Sequence, residues 1–126
     1  MSARLAMKGV GAGRLAIGLG MLVAPTALGQ PWIGDSATDP GGKVVVRSLG
    51  AREVLLGFMA VHVASADDPL IAARWSAAIA FCDVVDGVAS AGSRGRMGPM
   101  NDAVIPLALG TAAVGFGIAR RLRAAS

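Results

Sequence analysis

Four long, predominantly apolar stretches, 9–29, 44–66, 70–92 and 103–119, make up most of this chain, each separated from the next by a short link. A bilayer core is crossed by roughly 17 to 25 residues of helix, so every stretch is long enough to span one. In hydrocarbon each backbone polar group must bond within its own segment, which makes helices the economical reading of runs this long. The links behave as loops: 30–43 carries Pro31, Gly34, Pro40, Gly41 and Gly42, 67–69 is a tight acidic turn, and 93–102 holds Arg94, Arg96 and Pro99. No stretch alternates as a half-buried strand would. The expected fold is all-α, an integral membrane four-helix bundle in a single transmembrane domain over 1–126.

Composition narrows the function classes. Of 126 residues, 54% are hydrophobic and only 16% charged, too little charge to solvate the surface of a soluble domain of this length. The same balance excludes disordered and collagen-like chains. A lone cysteine, Cys82, allows neither an internal disulfide nor a cysteine zinc cage, and a lone histidine, His62, removes most histidine metal chemistry; no metal site is expected. The formal charge is +4. Its positive residues are few, dispersed around the ends of the apolar runs and free of aromatic interleaving, so nucleic acid is set aside as a partner. Arg120, Arg121 and Arg123 suit anionic lipid headgroups instead. The glycines from Gly9 to Gly13 lack the preceding strand that a phosphate or dinucleotide loop requires.

Arg4, Lys8 and Arg14 precede or enter the first run, and Ala27 and Gly29 frame a cleavage point before Gln30, so a removed signal peptide that leaves three spans is the alternative. Arg14 interrupts that run, and four spans is the expectation. With four, the N-terminus, the 67–69 turn and the C-terminus share a side bearing Arg4, Lys8, Arg74, Arg120, Arg121 and Arg123, against Lys43, Arg94 and Arg96 opposite. The positive-inside rule then places both termini of a multi-pass inner-membrane protein in the cytoplasm. Trp32 and Trp75 read as interfacial anchors. Small residues four apart, Gly9 with Gly13, Ala60 with Ala64, Ser76 with Ala80 and Ala113 with Gly117, mark faces for close helix packing, within the chain or in a homo-oligomer or with a membrane partner protein.

Ionisable residues inside apolar runs are the most informative feature, because each costs kilocalories in a bilayer. They are Arg14, Arg47, Arg52, Glu53, Asp83 and Asp86. At a rise of about 1.5 Å per residue, Arg47, Arg52 and Glu53 lie roughly 5, 12 and 14 Å below one end of the second run. On the antiparallel third run Asp86 and Asp83 lie about 9 and 14 Å below the same end. Arg47 and Arg52 are therefore expected to pair with Asp83 and Asp86, which sit three apart on one helical face. Glu53, turned about 100° from Arg52, faces another neighbour, and Arg14 reaches toward it or snorkels to water. Such a cluster either fixes helix register or lines a polar cavity that binds or moves a ligand. His62 reads as an interfacial or packed histidine and Cys82 as a small apolar filler.

The series Gly13-Arg14 with Gly18, Arg47 to Glu53 with Gly57, and Asp83 followed by Asp86 resembles small four-span bacterial proteins of unknown function in the DoxX-like group, over nearly the whole chain. That resemblance implies a four-helix bundle, and a quinone or sulfur-related role by association with membrane redox systems. Asp83-Val84-Val85-Asp86-Gly87 followed by Gly98-Pro99-Met100-Asn101-Asp102 is similar to the signature of CDP-alcohol phosphotransferases, in which aspartates of two adjacent helices hold divalent metals. Ser90-Ala91 and Pro106 depart from that signature, at its Ala-Arg pair and its base. The leading expectation is a non-enzymatic or accessory membrane protein with an Arg, Asp and Glu pocket for a small molecule, quinone or lipid. A small proton-coupled transporter with Glu53 as carrier is the alternative, and the metal-dependent enzyme a third.

Overall fold

The computed structural model describes residues 2–126. Its elements are all helical: α1 (Ala3–Val23), α2 (Pro25–Ile33), a 3-10 turn over Gly34–Thr38, α3 (Pro40–Ala64), α4 (Pro69–Gly92) and α5 (Asn101–Ala124). Local chemistry sets the starts. Ser2 caps α1 by accepting from the Leu5 amide at 3.2 Å, and Asp68 caps α4 by accepting from the Leu70 amide at 2.8 Å. Pro25, Pro40 and Pro69 open α2, α3 and α4, where the missing N–H is lost to no one and φ is already helical.

The first apolar run is not one helix. α1 stops at Val23, and Ala24 adopts φ −131°, ψ 63° before α2 begins. Pro25 removes a donor from the ladder and pushes the residue before it out of the α region, so the run breaks there. The link expected as a loop over 30–43 is instead the end of α2, the 3-10 turn and the start of α3. Gly34, at φ +72°, lets the chain leave α2 in the left-handed region.

The four long helices pack as two antiparallel pairs, α1 with α3 and α4 with α5. In the first pair glycine meets glycine: a Cβ on Gly18 would lie 2.6 Å from the Gly50 carbonyl oxygen, and one on Gly50 2.8 Å from that of Gly18. Two turns away, a Cβ on Gly11 would lie 2.8 Å from the Gly57 oxygen, and one on Gly57 2.6 Å from the Gly11 oxygen. The backbones approach where a side chain would hold them apart. In the second pair Ala80 faces Gly115, whose added Cβ would sit 2.8 Å from it, and Gly87 faces Ala108 and Leu109. Ser76 Oγ donates to the Gly115 carbonyl at 2.8 Å. Of the small-residue pairs read from the sequence, Ala60 with Ala64 and Ser76 with Ala80 are buried, whereas Gly9, Gly13 and Gly117 have open space beside them and Ala113 is exposed.

Two apolar layers close the ends. Met7, Val63, Ala72, Ala73, Ile118 and Leu122 form the layer where α1 begins and α5 ends; Met21, Ala37 and Val46, with Trp32 and Leu49 against them, form the opposite one. α1 and α5 are long and apolar enough to cross a membrane, whereas four such helices were expected. α3 and α4 match them in length, but Arg47, Arg52 and Glu53 on one and Arg74, Asp83 and Asp86 on the other lower their hydropathy.

Candidate functional site

Between the two layers the helices carry one recurring arrangement. A small residue is followed three positions on by a polar one and four further on by glycine: Gly11, Arg14, Gly18 on α1; Gly50, Glu53, Gly57 on α3; Ala80, Asp83, Gly87 on α4; Ala108, Thr111, Gly115 on α5. Spacings of three and four keep all three on one face. Because the small residues are the ones that touch across each antiparallel pair, the polar residue of every long helix is brought to the same level of the bundle.

Three of those four are charged and they meet. Arg14 donates from Nη1 to Glu53 Oε2 at 2.5 Å and from Nη2 to Asp83 Oδ1. Arg52 holds Asp86 with both branches of its fork, Nη1 to Oδ1 at 3.1 Å and Nη2 to Oδ2 at 2.5 Å, and Nη2 also reaches Glu53 Oε1 at 3.0 Å. The result is a chain of alternating charge, Asp83, Arg14, Glu53, Arg52, Asp86, running across α1, α3 and α4. It is most enclosed at the Asp83 end, whose side chain is 7% exposed, and opens toward Arg52 at 31%. Planar, bidentate geometry makes Arg suited to bridging two carboxylates in this way.

Five of the six expected charges are therefore in one cluster: Arg52 pairs with Asp86 and Arg14 with Glu53 as expected, whereas Asp83 is held by Arg14. Arg47 stands outside it: its Nε donates to the Leu22 carbonyl at 3.2 Å, in the last turn of α1. Arg4 does the reciprocal service, donating from Nη1 to the Ala64 carbonyl at 3.0 Å and to that of Ala66, at the end of α3. Each helix of the first pair thus lends an arginine from its own start to the unsatisfied carbonyls at the other's end. Linear depth along the run put Arg47 near the aspartates, but rotation about α3 aims it at α1 instead.

The cluster forms one wall of a cleft of about 360 Å³. Val10, Ile17 and Met21 of α1 and Val104, Leu107 and Ala108 of α5 supply apolar flanks, and Thr111 completes the polar level. Gly9 and Gly13 line the cleft too, and a Cβ on either would meet nothing within 4 Å. The exposed members of the lining are Gly9, Gly13 and Ile17 on α1 and Leu107 on α5, which places the mouth between these two helices. Trp32 closes the end under α2, its Nε1 donating to Ser90 Oγ at 3.2 Å. The loop before α5 docks on the same turn, with the Gly98 amide donating to the Trp32 carbonyl at 2.9 Å.

Trp32 and Thr111 were missed as site residues. Trp32 sits in a segment read as loop, and Thr111 carries no charge; only the spacing shared by the four helices singles it out. Asp102, the third aspartate of the phosphotransferase-like signature, lies exposed at the start of α5 beside Arg94, 3.7 Å away, and does not line the cleft with Asp83 and Asp86. Among the described residues no three His, Cys, Asp or Glu side chains gather as a metal-binding group. His62 is exposed and stacked on Phe58 at 5.8 Å, and Cys82 is half-buried against the core. Comparison with known protein families, curated proteins and solved structures finds no match, so the site is read from its own geometry.

Proposed function

We propose that the chain is an integral membrane four-helix protein that binds a small amphiphilic molecule, entering from the bilayer between α1 and α5. The observation that carries this reading is the cleft itself, apolar on both flanks and polar at one level, with a charge from each of α1, α3 and α4 on its wall. An amphiphile matches that division, its apolar body against Ile17 and Leu107 and its polar head at the cluster. Charged groups at mid-depth face a cavity, as the bilayer demands of them.

The distribution of surface supports the membrane setting. Large apolar side chains point outward on every long helix, among them Leu19, Leu55, Phe58, Phe81, Val88, Leu107 and Phe116, while Lys8, Arg74, Arg94, Arg96, Arg120 and Arg121 lie near the helix ends. Scattered exposed apolar residues are ordinary in a soluble protein, but large ones turned outward on all four long helices fit the pattern lipid selects. Of the charges that lower the hydropathy of α3, Arg52 and Glu53 are turned inward, and the exposed Arg47 is engaged at the end of α1. Both termini belong to the end bearing Arg4, Lys8, Arg74, Arg120, Arg121 and Arg123, so the termini are cytoplasmic in this reading.

Two measurements test it. Membranes containing the protein are washed with alkaline carbonate; retention in the pellet is expected, and release into the supernatant would overturn the membrane reading. Protein released from mild detergent is then examined by native mass spectrometry beside a Gly13→Leu variant. The expected result is a discrete retained mass on the wild type that the variant lacks, because a leucine at this position grows into the open cleft. A retained mass equal in both would place the ligand elsewhere.

A further inference from the structure

The cluster is unbalanced. Arg14 and Arg52 bring two positive charges to three carboxylates, Glu53, Asp83 and Asp86, and the α2 and α5 residues that line the cleft, Trp32, Val104, Leu107, Ala108 and Thr111, bring none. One negative charge is left over in a largely enclosed, apolar-flanked space. Burying an uncompensated charge is unfavourable, so a ligand that supplies one positive charge gains what a neutral or anionic one does not.

The hydrogen-bonding inventory points the same way. The guanidinium branches Nη1 and Nη2 of both arginines are engaged with carboxylates, and the Nε of each is buried without a hydrogen-bond partner among the described residues. Acceptors remain. Asp83 gives Oδ1 to Arg14 and has no hydrogen-bond partner on Oδ2 among the described residues. Thr111 spends its hydroxyl hydrogen on the carbonyls of Leu107 and Ala108, at 3.0 and 2.9 Å, and keeps oxygen lone pairs for another donor. One surplus negative charge, with Asp83 Oδ2 and the Thr111 oxygen free to accept, selects a headgroup that donates hydrogen bonds and carries a single positive charge.

We propose that the ligand class is a lipophilic amine in its protonated form, with the ammonium at the level of Asp83 and Thr111 and the hydrocarbon body between α1 and α5. This rests on the pocket reading above and specifies its chemistry. The test uses three cage hydrocarbons of one shape and different heads, 1-adamantylammonium, 1-adamantanol and adamantane-1-carboxylate. Each is titrated by calorimetry into the whole protein in mild detergent, with the Gly13→Leu variant as the control for partition into micelles. The ammonium is expected to bind the wild type at least tenfold more tightly than either isostere. Glu53→Gln, which leaves two carboxylates for two arginines, is expected to lower ammonium affinity at least tenfold. Equal or tighter binding of the alcohol or the carboxylate, blocked by Gly13→Leu, would overturn the amine proposal and leave the pocket standing. Heats unchanged by Gly13→Leu for all three compounds would overturn both. The wild-type preference among the three heads needs no variant, so misfolding of Glu53→Gln leaves the proposal open to refutation.

Discussion

The α1/α3 interface and the seam between α3 and α4 are built from adjoining faces of the same helix and are opposite in kind. At the first, Gly50 and Gly57 place backbone on backbone, with no side chain between the axes. At the second, Arg52 and Glu53 reach across to Asp86 and, through Arg14, to Asp83. Removing side chains lets two helices close; long charged ones hold two helices at arm's length and leave space beside them. The cleft lies where the second solution is used, and the difference teaches that small residues close each pair while the charge chain joins the pairs. A cluster of this kind adds little as net stability when intact, because desolvation offsets attraction, but it punishes incomplete removal.

Breaking the seam is expected to have the largest effect. Arg14→Met leaves Asp83 and Glu53 enclosed without their shared partner, and a buried pair broken on one side loses about 3–5 kcal/mol. Unfolding in mixed micelles measures it, and a loss below about 1 kcal/mol would mean that the seam is held by something else. Next come two glycines on α1 that the comparison separates. Gly18→Ala forces a Cβ onto the Gly50 carbonyl and is expected to destabilise by about 1–3 kcal/mol, the range of an overpacked core. Gly13→Ala meets open space and is expected to gain up to about 1 kcal/mol from helix propensity. Equal effects at the two positions would erase the distinction between packed face and cleft wall. The smallest effect belongs to Arg47→Ala, which uncaps the end of α1 at a cost of about 0.3–1 kcal/mol and should leave 1-adamantylammonium binding unaltered.

How much of this was legible depends on the kind of information each residue carries. Helix-forming runs announce themselves by length and apolarity, so α3, α4 and α5 begin and end within a few residues of where the runs do, apart from the added turn at the end of α5. The break at Ala24 was written in Pro25 but hidden by the apolar residues on either side of it. The recurring small, polar, glycine spacing was also present in the letters. With 18 glycines in the chain, chance pairs such as Gly9 with Gly13 outnumber meaningful ones, and only contact tells them apart. Arg47 shows the limit of depth as a guide: two charges at related depths meet only if rotation about the axis also agrees.

By itself the sequence determined that the chain is helical, where most of its long helices lie, and that Arg14, Arg47, Arg52, Glu53, Asp83 and Asp86 are charges inside apolar runs. Hydropathy and spacing are properties of neighbours along the chain, and those conclusions follow from them. Tertiary structure alone decided which arginine serves which carboxylate, that Arg47 caps a helix, that Trp32 and Thr111 belong to the site, and that the cluster faces a cleft with one negative charge to spare. Those depend on the rotation and register of helices against one another, which are set by where backbones without side chains can touch.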